Sequence, residues 1–441
     1  MRDVRARSAV LWMMGVLGAG TAQAQLPAGL PPTVPQVQLP QIQLPVQVPG
    51  NGLPQADRAV DGTLRGLAGL RAARIGQLAR EHRAELDRDP AGELVLRAEV
   101  LAIDPSAAAL DRALAEHFLL RRTHELPEIG LKVSVLQTPQ GWSAARGLKR
   151  LRKLDPDGTY DFNHVYLDSG DSSRRPATAA ADAPAPAASD GAPRRVGLID
   201  GGVDGEHEFF RHLRLQRFGC DGRVVPTEHG TAVAALLASR QSVDEILAAD
   251  VYCGMPSGGA IDAVAAALGW MAHEHVAVIN ISLVGPRNAL LERVVHALVA
   301  GGYLIVAAVG NDGPAAPPLY PASYDGVVGV TAVDRNHHAL IEACRGPQVD
   351  FAAPGADLTV PTKAPKVYAT VRGTSFAAPI VAALFTANLQ FPDPVRRDRE
   401  LARWTAAAND LGKHGRDDIY GAGELGASEP VVLGDAINRV K

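Results

Sequence analysis

Short, nearly continuous apolar runs separated by helical patterns characterise the chain from Val196 onward. Strands without alternating polar residues are buried on both faces, and strands that alternate with helices favour a parallel sheet. The pattern therefore predicts a three-layer α/β domain with a mostly parallel sheet. The predicted strands are Val196–Ile199, Val276–Leu283, Tyr303–Val309 and Val327–Val333, and the predicted helices are Gly230–Ser239, Ile261–His273 and Asn288–Ala300.

A smaller unit with a different order of elements precedes this domain. Ala56–Arg88 is rich in Ala, Leu, Arg and Glu at helical spacing, and Asp89-Pro90 predicts the end of that helix. The order that follows, strand, helix, strand, strand, helix, strand, is that of a small α+β unit of ferredoxin-like topology. Its six predicted elements are Glu93–Ile103, Ser106–Glu116, Phe118–Leu126, Leu131–Gln137, Ser143–Leu154 and Phe162–Leu167.

Two segments of biased composition flank the smaller unit. Residues 25–55 repeat apolar–Pro pairs, which favour an extended polyproline II spacer over a packed element. Residues 169–194 are rich in Ala, Pro, Ser and Asp and cannot offset the entropy of ordering, so we predict a flexible, protease-accessible linker. The predicted domains are therefore the accessory unit, 56–168, and the α/β domain, 195–441.

The first 24 residues have the three parts of a signal peptide. A basic start with Arg2, Arg5 and Arg7 is followed by an apolar stretch over 9–17 and by small residues that end at Ala24. The apolar stretch is shorter than the ~20 residues that a membrane-spanning helix needs. We therefore expect export, to a periplasm or out of the cell, and no membrane attachment after the signal is removed.

Composition narrows the class of protein only slightly. Of the 441 residues, 46% are hydrophobic and 21% charged, which is typical of a globular protein, and the net charge of -4 gives no basic footprint for nucleic acid. The three cysteines, Cys220, Cys253 and Cys344, allow one disulfide at most. Their spacing does not identify the partners and is not that of metal ligands, so we expect no metal site there.

Four polar residues stand where active-site groups of such a domain collect, after strands and at the starts of helices. Asp200 and Asn311 follow predicted strands, His229 begins a predicted helix, and Ser375 precedes an apolar helical run. Taken singly, an Asp or Asn there is commonly a turn residue and a Ser a helix N-cap. A neutral imidazole can also accept a hydroxyl proton, and a helix start can bind a developing oxyanion.

Together, these contexts resemble the subtilisin-like serine peptidases, the subtilase family. The resemblance covers about Arg195 to Ala427, and its most specific element is Gly-Thr-Ser followed by Ala-x-Pro. The matching motifs are Val196–Asp204, His229-Gly230-Thr231, Asn280–Leu283, Gly373–Pro379, Tyr320–Tyr324, Val349–Gly355 and Asp417–Gly423. The order Asp, His, Ser is that of subtilisin itself.

The resemblance implies a role for each matched residue. Asp200, His229 and Ser375 would form the catalytic triad, and the Asn311 side chain with the Ser375 backbone N–H would form the oxyanion hole. Substrate would bind as an added strand along the segment formed by Ser282, Leu283 and Val284, with Gly310 shaping the turn beside it. The chain departs from the family at Ala232, where a second histidine is usual, and at Val284, where glycine is usual.

The resemblance also implies how the protein is made. The accessory unit would be a propeptide that assists folding, inhibits the enzyme from within the chain and is cut away by self-cleavage between about Ser169 and Arg195. The expected partners are polypeptide substrates, and the expected state is a monomer. No cofactor is required, and calcium binding is left open because no motif locates a site.

The sequence disfavours two other functions. A catalytically inactive subtilase fold used for binding is disfavoured, because such a relative would typically lose at least one of the four chemical groups. An esterase of the α/β-hydrolase type would need Gly-x-Ser-x-Gly and the order Ser, Asp, His, and the sequence has neither.

Overall fold

A computed structural model describes residues 69, 71–168, 176–177, 193–240 and 242–427. The predicted signal peptide, the proline-rich spacer and most of the predicted linker lie outside these residues. None of the helices in the described ranges is both long and apolar enough to cross a membrane.

The accessory unit, as far as it is described, is an antiparallel sheet of five strands with the strand order of a ferredoxin-like fold, β5-β2-β4-β3, and β1 also pairs with β2. This confirms the predicted topology. In chain order its elements are α1 (71–81), β1 (Leu86–Arg88), β2 (Leu94–Ile103), α2 (Ala107–Ala115), β3 (Leu119–Leu126), β4 (Leu131–Gln137), α3 (Ala144–Leu154) and β5 (Thr159–His164).

Alternation along β2 explains how the accessory sheet is covered on both sides. Val100 and Ala102 belong to the apolar cluster under α2 and α3. Leu101 and Ile103, which point to the other face, belong to the cluster of the larger domain. The accessory unit therefore packs on the larger domain through one face of its sheet.

Two predicted elements of this unit were wrong in extent. The predicted helix over Ala56–Arg88 ends near residue 81, because Leu86 turns inward and pairs with Leu96 as part of β1. The predicted strand Phe162–Leu167 is divided: β5 ends at His164, and two short strands follow, β6 (Leu167–Asp168) and β7 (Pro176–Ala177). Val165, Tyr166 and Leu167 are apolar although they follow β5, because they are buried against the larger domain.

Seven parallel strands form the central sheet of the larger domain in the part of the chain that the structure describes, in the order β15-β14-β13-β11-β8-β10-β9. The strands from β8 onward are β8 (Arg195–Asp200), β9 (Arg214–Phe218), β10 (Glu245–Asp250), β11 (Val278–Ile281), β12 (Leu283–Val284), β13 (Leu304–Ala308), β14 (Val328–Val333), β15 (Phe351–Pro354), β16 (Leu358–Pro361) and β17 (Tyr368–Val371). The helices are α4 (Glu228–Ala238), α5 (Ile261–His273), α6 (Ala289–Ala300), α7 (Thr374–Thr386) and α8 (Pro394–Ala407).

Helices cover both faces of this sheet, so the predicted three-layer α/β fold is confirmed. Val196 and Leu198 of β8 point into a buried cluster with α4 and α7, and Ile199 points into a second cluster with α5 and α6. β8 lies between β10 and β11, and the chain crosses from the β9–β10 side of β8 to its β11 side. The carboxyl end of β8 is therefore a switch point of the sheet, where sites collect in open α/β folds.

The cysteines divide into one pair and one buried thiol. Cys220 and Cys253 form a disulfide. Cys344 is free and buried, and burial raises the pKa of its thiol to about 12.

Candidate active site

The carboxylate of Asp200 and the ring of His229 face each other at the carboxyl end of β8. Asp200 is 1% exposed, and its Oδ1 lies 2.9 Å from His229 Nδ1 and accepts a hydrogen bond from Gly201 N. His229 is the second residue of α4, whose N-cap is Thr227. Gly230 lets the helix start approach this turn, since a Cβ at Gly230 would lie 2.2 Å from the Gly201 carbonyl oxygen.

The surroundings of His229 favour its protonated form. Burial by itself would lower the pKa of His229, but the charge of Asp200, its hydrogen bond and the charge of Asp168 together outweigh burial, so the pKa lies above the ordinary value. Because Nδ1 faces Asp200, the other ring nitrogen is directed elsewhere. That atom, Nε2, is buried and has no hydrogen-bond partner among the residues that the structure describes.

Ser375 lies at the start of α7, close to this ring. It is the second residue of the helix and is fully buried, and the ring of the next residue, Phe376, lies 5.3 Å from that of His229. Its Oγ donates to the Ser282 carbonyl over 3.1 Å, and Ser282 Oγ donates back to the Ser375 carbonyl over 3.0 Å. The helix start thus carries a hydroxyl to the place where α4 carries an imidazole.

Asn311 follows β13 and is tied to the same helix start. Its Oδ1 accepts from Thr374 N over 3.1 Å, and Gly310 N donates to Thr374 Oγ1 over 3.2 Å. Gly310 has a φ of 102°, a left-handed conformation that favours glycine. Since the amide oxygen of Asn311 is used by Thr374, its two N–H groups are the end that can donate to another acceptor.

The predicted substrate segment is occupied by the chain itself. Strand β12 pairs antiparallel with β6, with Leu283 opposite Asp168 and Val284 opposite Leu167. On the other side of the same stretch, Tyr166 N donates to the Gly259 carbonyl over 2.8 Å. Residues 166–168 therefore lie as an extended strand between two segments of the larger domain.

A side-chain pocket at one end of this strand holds Tyr166. The residue is 1% exposed, and its hydroxyl donates to the Pro286 carbonyl. A Cβ at Gly285 would lie 2.3 Å from the Tyr166 ring, so glycine at that position makes the fit possible.

Two arginines of α1 reach the same region. Arg74 bonds the Asp168 carboxylate and, over 3.2 Å, its carbonyl. Arg71 pairs with Glu93 at 2.6 Å and with Asp312, the residue after Asn311, at 3.6 Å. Burial raises the pKa of Asp168, but the charges of Arg74 and His229 and the hydrogen bond to Arg74 together outweigh burial, and the pKa is lowered. These residues belong to no sequence motif and meet only in the fold, so the sequence alone did not indicate them.

The accessory unit also supplies caps to the helices of the larger domain. Asp161 Oδ2 accepts from Ala289 N at the start of α6 over 2.7 Å, and Asn163 Oδ1 accepts from Asp262 N near the start of α5 over 3.3 Å. Arg122 bonds the buried Asp262 carboxylate at 2.6 Å. These orphan N–H groups would otherwise lack partners in a buried helix end.

The arrangement has the groups that acyl transfer requires. A carboxylate holds the imidazole, the hydroxyl stands at the helix start whose Phe376 ring lies near that imidazole, and amide donors border the hydroxyl. The structure thus brings Asp200, His229, Asn311 and Ser375 to one rim of the sheet, beside the segment that includes Ser282, Leu283 and Val284. Gly310 precedes Asn311 and is tied to the same helix start through Thr374.

Comparisons with known proteins all find subtilisin-like proteases. A model of the Subtilase family matches residues 194–423. The minor extracellular protease Epr of Bacillus subtilis is 33% identical over 206 residues, which are 44% of this chain and 32% of Epr. Subtilisin DY of Bacillus licheniformis is 29% identical over 239 residues, which are 50% of this chain and 86% of that protein.

One solved structure resembles the fold over most of the chain. It is fervidolysin from Fervidobacterium pennivorans, described as a keratinolytic enzyme related to subtilisin. The TM-score is 0.61 at 18% identity, and the match covers 79% of this chain and 62% of fervidolysin. At this identity the similarity concerns the fold alone.

Proposed function

We propose that this chain, which belongs to the subtilase family, is a serine endopeptidase with Asp200, His229 and Ser375 as its catalytic triad. The observation that carries the proposal is the buried Asp200–His229 bond together with the position of Ser375 next to Phe376, whose ring lies 5.3 Å from that of His229. A carboxylate, an imidazole and a hydroxyl in these roles are the machinery of an acyl-enzyme mechanism.

In the proposed reaction, Ser375 Oγ attacks a peptide carbonyl while His229 Nε2 takes its proton. A rotation of the Ser375 side chain away from the Ser282 carbonyl would bring the hydroxyl to the imidazole. Asp200 holds the ring and stabilises the imidazolium until the proton passes to the leaving amine. Water then releases the acyl group by the same route in reverse.

The negative charge on the carbonyl oxygen would be bound by the Asn311 amide and the Ser375 backbone N–H. Removal of one such donor costs about 3–4 kcal/mol of transition-state stabilisation, a value known for subtilisin itself. The substrate backbone would pair with Leu283 and Val284 as residues 167 and 168 do. The reaction uses no cofactor, and we assign no residues to calcium.

The accessory unit would act as an inhibitor of its own chain and as an aid to folding. The strand over 166–168 fills the substrate cleft, which supports inhibition. The caps that Asp161 and Asn163 give to α6 and α5 support a role in folding, because each satisfies helix N–H groups of the larger domain. We expect the first cut within the linker that follows Asp168.

Export and a monomeric state complete the proposal. Export is supported by the signal-like pattern of residues 1–24 and by a relative whose name describes it as extracellular. The natural partners would be polypeptide substrates.

The test compares the wild-type chain with Ser375→Ala in a host lacking other proteases. We expect the wild type to be processed within the linker, to label with a fluorophosphonate probe and to cleave peptides, and the variant to do none of these. Ser242→Ala, which loses a hydroxyl bonded to the Ala383 carbonyl far from the rim, should behave as the wild type.

A wild type that folds but neither labels nor cleaves any peptide would support the alternative, a catalytically inactive subtilase fold used for binding. Equal processing of the wild type and Ser375→Ala would rule out self-cleavage.

A further inference from the structure

We infer that Asp312 makes the substrate cleft select peptides with arginine or lysine at the residue that supplies the scissile carbonyl. This inference rests on the proposed peptidase function. It assigns the specificity of the site to a carboxylate that no sequence motif identifies.

The pairing of β6 with β12 sets where that residue lies. Asp168 is opposite Leu283, so a substrate in the same antiparallel register has its next residue opposite Ser282. The Ser282 carbonyl is hydrogen-bonded to the Ser375 hydroxyl. The residue opposite Ser282 is therefore the one whose carbonyl Ser375 can attack.

Alternation along the strand sets the direction of its side chain. Leu167 belongs to one buried cluster with Ile75 of α1. The residue two positions after Leu167 in the register points to the same side of the strand. Arg71 lies one helical turn before Ile75, on the same face of α1, and reaches Asp312 at 3.6 Å. The Arg71 guanidinium thus lies where the substrate side chain would be directed.

The environment of Asp312 favours a cation beside its carboxylate. Its Oδ2 is buried and makes no hydrogen bond within the described ranges, and its side chain is only 20% exposed. Burial raises its pKa, and the cations found to oppose this are Arg71 and Arg74, both of α1. When the accessory unit leaves, these two charges leave with it. A substrate that covers Asp312 as α1 does would leave this carboxylate buried without a partner, which is unfavourable, unless the substrate side chain is basic and replaces the cations of α1.

The first cut within the chain is not expected to follow this preference. The cleft and the linker belong to one molecule, and the high effective concentration of the joined chain outweighs the fit of one side chain. Selection by Asp312 applies to substrates that arrive from solution.

The experiment measures kcat/KM of the processed enzyme on peptides that differ only at this residue: Arg, Lys, Gln, Met and Glu. We expect Arg and Lys to exceed Gln by about 10-fold or more, as charge-assisted bonds exceed neutral ones, and Glu to be poorest. Asp312→Ser should bring the Arg-to-Gln ratio close to one. Asp312→Glu should keep the preference.

Asp325→Ser, which changes an exposed acid elsewhere on the domain, is the matched control and should keep the wild-type ratio. Equal kcat/KM for Arg and Gln in the wild type would overturn the inference while the peptidase function stands. That comparison holds even if Asp312→Ser fails to fold. Failure to cleave any peptide and to label with the fluorophosphonate probe would instead overturn the proposed function.

Discussion

At the residue scale, the bond between Asp200 and His229 decides how the site responds to pH. The general base must be neutral to accept the proton of Ser375. Burial lowers the pKa of His229, but the charge and hydrogen bond of Asp200 with the charge of Asp168 together raise it above the ordinary value, so the neutral form is lost at a higher pH than for a free histidine. Acid should therefore inactivate the enzyme before it disturbs an ordinary carboxylate.

We predict that kcat/KM of the processed enzyme falls on the acid side with a midpoint above pH 6.5, the ordinary value for histidine. The profile should be measured on an uncharged peptide, so that titration of the substrate does not contribute. Asp200→Asn should lower kcat by about 10⁴-fold, because the ring loses its orientation and its counter-charge. An acid midpoint at or below 6.5 in the wild type would contradict the argument.

The sequence could indicate the residues of the rim but not all of their partners. Asp200, His229, Asn311 and Ser375 follow strands or begin helices in motifs that a single chain displays. Asp312, Arg71, Arg74 and Asp168 come from three separated places, and their roles depend on contacts across more than 80 residues of chain. Charged residues at such positions are usually solvated, so pattern alone does not single them out.

At the element scale, the accessory unit completes two helices of the larger domain. The N-cap residue of α6, Asn288, binds Leu290 N and Leu291 N, and Asp161 adds a carboxylate to Ala289 N. The negative charge of Asp161 also interacts favourably with the positive end of the helix. The first turn of α6 is therefore held from outside its own domain.

We predict that Asp161→Ala weakens this first turn in the uncut Ser375→Ala chain. Loss of a cap costs about 1 kcal/mol, so hydrogen–deuterium exchange of the amides around Ala289 should become about fivefold faster. Asp157→Ala, which removes an exposed acid in the turn before β5, is the control and should leave those amides unchanged. Equal exchange in both variants would show that Asp161 does not cap the helix.

Most strands and helices could be predicted because apolar positions, which become buried, recur at a regular spacing in their sequences. The helices α5 and α6 and the strands β4 and β8 lie where the pattern places them, within one residue at each end. The strands β9, β10, β15, β16 and β17 and helix α8 were not predicted. β9 has the sequence Arg-Leu-Gln-Arg-Phe and lies at the sheet edge, where three of its five residues are exposed. The strands β15 to β17 have four residues each, too few for a period to show.

At the scale of the whole molecule, the disulfide joins two loops of the larger domain that flank the end of β10. Cys220 and Cys253 are 33 residues apart in sequence. Cys220 follows β9, and Cys253 follows β10 and lies next to Tyr252, whose hydroxyl bonds the Tyr166 carbonyl in the cleft. The pairing could not be read from three cysteines alone, since it depends on β9 and β10 being neighbours in the sheet.

We predict that removal of the disulfide lowers the free energy of unfolding of the Ser375→Ala chain by about 3 kcal/mol, from the entropy of the opened loop. The double variant Cys220→Ser and Cys253→Ser should show a lower thermal unfolding midpoint. A reductant should bring the parent chain to the same midpoint and leave the double variant unchanged. A midpoint that the reductant does not move in the parent chain would count against the disulfide.

The strand of β6 beside β12 has a consequence for the time course of activation. Hydrolysis within the linker breaks one covalent bond, but the Tyr166 side chain, the Arg74 contacts and the apolar face under β2 all persist. A freshly cut molecule is thus a tight complex of an enzyme with its own product, and turnover should begin only after a lag. If the accessory unit leaves on its own, the lag is the same at every enzyme concentration. If neighbouring active molecules digest it, the lag shortens as the concentration rises, and a small seed of mature enzyme abolishes it.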